Sequence, residues 1–350
     1  MARHRLVIGG LVGGLALLAG CASDGGDTAA TPSAPSSGGA TASASGSAAP
    51  GSGGNGSIYV SSTTEGSKVI TRYPIAADGS LGAPIEVVNE AADAETFPGV
   101  VDGLGDSLLT GTFTQYWTTE VQQRDATTGA VGSTVPGKRW CGGEGLTYNA
   151  CVLLDDGTLA RTSELGGEGL REGTIDLTAL SDGSTTKTLG PYEGLSSVLG
   201  STDPNVLFLT ISTEPQVDPP EPQPGTVQRL DVSTGTASEL GSYPTGWYPI
   251  CPIGTDSVLG YPPDGSGAPS VVGPATIGEL SWDDKDTPLG CSADGRYLYL
   301  QQIPQPPTET EDDTTPPNPS TSIDRITVAD GTRTPVATLD PGVWAEQVTR

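Results

Sequence analysis

The stretch Tyr73-Pro74-Ile75-Ala76-Ala77-Asp78-Gly79-Ser80-Leu81-Gly82-Ala83-Pro84-Ile85-Glu86-Val87-Val88 holds a strand-like run, a turn centred on Asp78-Gly79 and a second strand-like run. Gly tolerates the positive φ of a tight turn and Asp bonds to backbone two residues on, so the pattern reads as a β-hairpin. The same grammar returns in Arg124–Val135 around Gly129, in Ile175–Leu189 around Gly183, in Arg229–Leu240 around Gly235 and in Ile323–Leu339 around Gly331. A degenerate copy lies in Glu279–Leu289, near Asp284. Intervals of about 50 residues are those of repeat arrays.

Between these hairpins runs the other half of the repeat: an aromatic or Pro lead-in, an inner strand, a polar turn and a second strand. It is legible in Phe97–Leu109, Trp140–Leu154, Tyr192–Leu209, Trp247–Leu259 and Pro288–Leu300. Pro341-Gly342-Val343-Trp344 repeats the start of Pro98-Gly99-Val100-Val101, whereas Ser57-Ile58-Tyr59-Val60 reads as a second strand without a first. The expected fold is therefore all-β: a six-bladed β-propeller of four-stranded blades, with a last strand near Val343–Thr349 joining the first blade and closing the ring. A seventh blade would have to lie in the irregular region Leu159–Arg171.

The chain is acidic, with a formal net charge of -26, which argues against a nucleic-acid partner because phosphate binding requires clustered Lys and Arg. Its single histidine, His4, lies in the leader described next, so no Ser-His-Asp triad and no His-ligated zinc site is expected downstream. Residues 1–20 read as an export signal, with Arg3, His4 and Arg5 ahead of the apolar run Leu6–Leu18, which is too short to span a bilayer. Residues 21–56 are mostly Ala, Ser, Gly, Thr and Pro, a composition that cannot bury a core and reads as a linker; residues 57–350 are the propeller domain.

Two local resemblances add to this. Leu18-Ala19-Gly20-Cys21 resembles a bacterial lipobox, which implies lipidation of Cys21 and anchoring at the extracytoplasmic face of the cell membrane. Ser292-Ala293-Asp294-Gly295-Arg296-Tyr297-Leu298-Tyr299-Leu300 resembles the turn-strand unit of TolB-like and YVTN-repeat propellers, with Ala293 where that group usually has Pro. This resemblance implies a fold and no activity.

The domain carries Cys141, Cys151, Cys251 and Cys291, an even number that suits two disulfides in an exported protein. Three pairings are open. Cys141 and Cys151 are expected in the first two strands of one blade, and Cys251 and Cys291 at equivalent first-strand positions of successive blades, which favours Cys141–Cys151 and Cys251–Cys291.

In four-stranded blades the loops joining second to third strands share a face with the blade-to-blade junctions. Two Pro-rich acidic inserts, Glu214–Gly225 and Pro304–Ser320, fall in second-to-third loops, as does Tyr116-Trp117. Trp140, Tyr192, Trp247, Tyr248 and Trp344 fall at junctions. Glu144 and Glu168 stand in twin Gly-Gly-Glu-Gly-Leu segments and Glu193 in a similar Glu-Gly-Leu. Aromatics among polar groups suit a protein, peptide or glycan partner from the envelope. Packing between blades is the alternative role for each aromatic, and a solvated turn for each glutamate.

Asp283-Asp284-Lys285-Asp286 and Asp155-Asp156-Gly157 lack the spacing of a calcium loop, and no metal or cofactor is expected. The reading is a non-catalytic binding module. The alternatives are a carboxylate-based enzyme acting on glycans, with Glu144 and Glu193 as its candidates, and a structural spacer in an envelope complex.

Overall fold

The computed structural model describes residues 54–350 except 65, 93–95, 115–117, 138–140, 142–150, 156, 163–171, 215–222, 263–267, 281, 283–284 and 303–319. The leader, Cys21 and the linker up to residue 53 lie outside the described residues.

Every regular element among them is a β-strand, and the strands form six sheets. Blade 1 holds β1 (Ser57–Thr64), β2 (Ser67–Pro74) and β3 (Ile85–Ala91), and takes β23 (Val343–Thr349) as its innermost strand. Blade 2 is β4 (Thr96–Leu104), β5 (Ser107–Thr114), β6 (Thr118–Asp125) and β7 (Val131–Pro136). Blade 3 is β8 (Cys151–Asp155), β9 (Thr158–Thr162), β10 (Glu172–Ala179) and β11 (Thr185–Glu193). Blade 4 is β12 (Leu195–Gly200), β13 (Val206–Ser212), β14 (Gly225–Asp231) and β15 (Thr236–Tyr243). Blade 5 shows β16 (Tyr248–Ile253), β17 (Ser257–Tyr261) and β18 (Ser270–Val272); blade 6 is β19 (Asp286–Cys291), β20 (Tyr297–Gln302), β21 (Thr321–Thr327) and β22 (Arg333–Leu339).

The ring closes as the orphan second strand required. β23 runs antiparallel to β1 from Ser57↔Thr349 to Ser62↔Val343. Among the described residues six sheets complete the circle, and Thr158–Thr162 is a strand of blade 3; residues 163–171 lie outside the described residues.

Each pair of neighbouring blades shares one apolar cluster. Tyr59, Ile70 and Val88 of blade 1 meet Val100 and Leu108 of blade 2; Ile58 and Tyr73 of blade 1 meet Tyr299 and Ile323 of blade 6. The alternation of a strand explains this, since successive side chains point to opposite faces of a blade and both faces are covered. Burying each Val, Leu, Ile or Phe contributes about 1.5–3 kcal/mol.

All six innermost strands carry a register shift against their second strand: at Tyr59/Val60 opposite β23, and at Val100/Asp102, Leu153/Asp155, Leu195/Ser197, Pro249/Cys251 and Pro288/Gly290. Bulges of this kind bend a strand and increase its twist, and here they recur where six strands crowd around one axis.

Two expectations are corrected. Cys141 precedes the first strand of blade 3, and Cys151 opens that strand; they do not occupy its first and second strands. The first strand of blade 3 pairs with its second from Cys151↔Arg161 to Asp155↔Thr158, so blade 3 begins one strand later than the repeat predicts. In blade 5 the expected fourth-strand hairpin near Asp284 does not form among the described residues. Instead the return segment packs on blade 6: Gly278 N donates to the Val328 carbonyl at 2.8 Å, and Leu280 is buried with Leu298 and Ile326. Pro274 lacks the N–H that a ladder needs, and β18 is only three residues long, so the template for a fourth strand is short.

Candidate binding face and channel

One end of the ring carries the turns joining first to second and third to fourth strands within blades; the other carries the second-to-third connections and the blade-to-blade junctions. The two ends are built differently.

At the turn end, the five hairpin glycines have φ between +72° and +77°. Each turn aspartate satisfies its own turn. Asp231 Oδ1 accepts from Thr234 N at 2.8 Å and Ser233 Oγ at 2.6 Å; Asp125 Oδ1 accepts from Thr127 N at 2.9 Å and Thr128 N at 2.7 Å. Asp78, Asp182 and Asp330 accept from the backbone N–H two residues on, each at 2.9 Å. These bonds hold the carboxyls below the usual carboxylate range, that of Asp231 at about 2.

The turns are then gripped by cations from the preceding blade. Arg72 of β2 donates to the Ala126 carbonyl at 3.1 Å, Lys187 of β11 to the Ser233 carbonyl at 2.7 Å, and Arg229 of β14 to the Thr255 carbonyl at 3.0 Å. Blade 6 closes on blade 1 through Arg325 to Asp78 O, Arg296 to Ala77 O at 2.7 Å and Tyr299 Oη to Gly79 O at 2.9 Å. The Cys251–Cys291 disulfide links blade 5 to blade 6, and a second disulfide joins Cys141 to Cys151, the two pairings that strand placement favoured.

At the turn end of the axis, Arg350 reaches across the channel. Its Nη2 lies 2.5 Å from Asp102 Oδ2 on blade 2 and 2.9 Å from the Leu153 carbonyl on blade 3, while Nη1 donates to the Ser201 carbonyl on blade 4. Asp102 also accepts from Leu153 N at 2.8 Å, so one carboxylate caps a channel-facing N–H and holds the guanidinium. Gly200 makes room: a Cβ there would stand 2.0 Å from Arg350 Nη1. Beside this crossbar a cavity of about 90 Å³ is lined by Asp102, Gly200, Gln347, Arg350 and the Cys251–Cys291 bridge.

Further along the same strand, Glu346 occupies the bulge of β23. It pairs with Lys68 Nζ at 2.6 Å and accepts from Val100 N at 2.8 Å. Lys68 also lies 5.2 Å from the Phe97 ring centroid, and Phe97 stacks on Phe113 at 6.0 Å. Sequence reasoning missed Arg350, Asp102, Glu346 and Lys68 because none belongs to a local motif. The gripping arginines did leave a signal: Arg72, Arg229 and Arg325 recur six or seven residues ahead of the turn glycines of their own blades.

The aromatic candidates separate into two groups. Trp247 is not a surface residue: it is 2% exposed, stacks on Tyr243 at 5.0 Å and donates from Nε1 to Ser270 Oγ at 3.1 Å. The absence of a side chain at Gly260 opens its slot, since a Cβ there would stand 2.2 Å from the indole. Tyr192 is half-buried against the cluster between blades 3 and 4, and Tyr248 is half-buried at the start of β16. Trp344, by contrast, is 43% exposed at the loop-bearing end of β23.

Glu193 is exposed at the end of β11, the outermost strand of blade 3 and away from the channel, with Glu172 directly opposite. Tyr116, Trp117, Trp140, Glu144 and Glu168 lie outside the described residues, as do most of the two Pro-rich inserts. Among the described residues no group of three or more His, Cys, Asp or Glu could hold a metal ion.

No protein-family model and no curated protein matches the chain. Solved structures do. TolB from Acinetobacter baumannii superposes with a TM-score of 0.52 at 12% identity, over 84% of this chain and 65% of that one. The fold resembles that of TolB. A TolB-like protein from Agrobacterium tumefaciens aligns with a TM-score of 0.42 at 11% identity, over 84% of this chain and 98% of that one. The chain thus spans just under two thirds of the length of the Acinetobacter TolB, and at these identities the likeness is one of fold.

Proposed function

We propose that the chain is a lipid-anchored extracytoplasmic propeller that binds a protein partner of the envelope through its loop-bearing face, without catalysing a reaction on it. The observation that carries this reading is the asymmetry of the two ends. The turn end is occupied by its own hydrogen bonds, whereas the opposite end bears the long connections and presents Trp344 to solvent. Large aromatics on an exposed rim supply contact area at low entropic cost, and long loops on a rigid scaffold are where binding residues gather. The two disulfides suit an oxidising compartment. Lipidation of Cys21 rests on the lipobox resemblance alone, and the likeness to TolB supports the fold.

The test is cross-linking on intact cells, comparing the full chain, Trp344→Ala and a variant with both Pro-rich inserts shortened, with captured species identified by mass spectrometry. The expected result is a discrete partner protein captured by the full chain and reduced at least about tenfold in the variants, whose melting temperatures stay unchanged. Equal capture by all three would refute the face assignment. In the same cells Cys21→Ser should move the protein from the membrane to the soluble fraction.

A further inference from the structure

Among the described cations of the ring, one buried guanidinium is only partly engaged. Arg161, the penultimate residue of β9, is 4% exposed. Its Nη1 donates to the Pro136 carbonyl at 3.0 Å, at the end of β7 in the neighbouring blade. Its Nε and Nη2 are buried and have no hydrogen-bond partner among the described residues. Both β7 and β9 end at the loop-bearing face, so the group stands in the seam between blades 2 and 3, near the surface that the proposed function uses.

A guanidinium removed from water with two donors unpaired is costly, and removing water from a charge is repaid only by a counter-charge that also accepts its hydrogen bonds. Burial accordingly pushes the Arg161 pKa down from its usual value, with Asp176 acting in the opposite direction. Asp176, the Cα partner of Arg161 on β10, accepts from Thr188 Oγ1 at 2.8 Å.

The two open donors are adjacent. Nε and Nη2 form one edge of the guanidinium plane, the fork that matches two oxygens of a carboxylate. The net charge of the chain, -26, disfavours a dianion in this seam more than a monoanion.

We propose that Arg161 is the anchor for a carboxylate of the protein partner, held by a bidentate pair at Nε and Nη2 in the seam between blades 2 and 3. The inference rests on the loop-bearing face being the binding face. Its primary test needs no partner: the Nε–H resonance of Arg161 in the ¹⁵N-labelled full chain, assigned by its loss in Arg161→Lys, is followed during titration with sodium acetate. Sodium chloride and inorganic phosphate at equal ionic strength are the comparison arms.

Acetate should shift the resonance saturably and chloride should not. Arg161→Lys, which keeps the charge and loses the fork, should weaken the stabilisation of the melting temperature by acetate about tenfold. An acetate response no larger than that of chloride overturns the site, and a tighter response to phosphate overturns the carboxylate assignment. If Arg161→Lys fails to fold, the response of the parent melting temperature to acetate against chloride still decides. A filled acetate site on a protein that captures no partner would refute the proposed function and the partner as occupant, leaving only a carboxylate-binding site at Arg161. Undiminished partner capture by Arg161→Lys would overturn this inference and leave the proposed function standing.

Discussion

The two ends of the propeller solve the same covering problem with different chemistry. At the turn end, Gly331 has a φ of +72°, and a Cβ there would stand 2.2 Å from the Glu279 carbonyl of the neighbouring blade; Gly66, in the β1–β2 connection at the other end, has a φ of +79° and nothing within 4 Å of where a Cβ would be. Both are required by local backbone geometry, but only Gly331 is also required by a neighbour. At the turn end, carboxylates close their own turns, and at several of them a cation from the preceding blade grips a turn carbonyl, so local and long-range demands coincide there. At the loop-bearing end the neighbour's demand is relaxed, and sequence there is free to serve another purpose.

The largest expected effect comes from removing the strand both ends depend on. A chain ending at Asp340 loses β23, with its pairing to β1, the Glu346–Lys68 pair and the Arg350 crossbar. Blade 1 then has an open edge beside the channel and the ring is unlocked. Thermal unfolding should lose its single cooperative transition, and a sharp transition near the parent temperature would show that ring closure is dispensable.

A smaller effect should separate the two ends directly. Gly66→Ala is expected to cost about 1–2 kcal/mol from φ strain alone. Gly331→Ala should cost about 1–3 kcal/mol more, because the backbone carbonyl it meets cannot move without shifting a blade. Equal losses in denaturant unfolding would erase the proposed difference between the ends.

The smallest is a pH effect. The turn aspartates have folded-state pKa values depressed below the ordinary 3.8, to about 2 for Asp231. Their stabilisation is therefore complete above the ordinary value and is lost as pH falls toward 2. Asp231→Ala should melt below the parent at neutral pH, and the gap should close between about pH 4 and 2. A gap constant across that range would mean the carboxylate charge plays no part in the turn.

The readable part of the candidate site followed the same division. Hairpin turns were legible because Asp and Gly act within a few residues of themselves. Trp247 and Trp344 looked alike in the chain, each at a blade junction, yet one fills a slot opened by Gly260 and the other meets solvent. Nothing local distinguishes them, because the slot belongs to another strand. The phase of blade 3 slipped for a related reason: Cys141 and Cys151 are joined, but a disulfide constrains proximity and not strand order.

The sequence by itself determined the repeat, the all-β class and the closing strand, and favoured six blades and the observed cysteine pairs. Each of these depends on short-range turn chemistry, on alternation along a strand or on matching the two ends of a periodic pattern. Tertiary structure alone decided which charges meet across the ring, as with Lys68 and Glu346 or Arg350 and Asp102, and which buried cation, Arg161, keeps two donors open. Those outcomes depend on how far each innermost strand is bulged and how each blade is set against the next. Such positions are fixed by packing between residues far apart in the chain, and no local pattern records them.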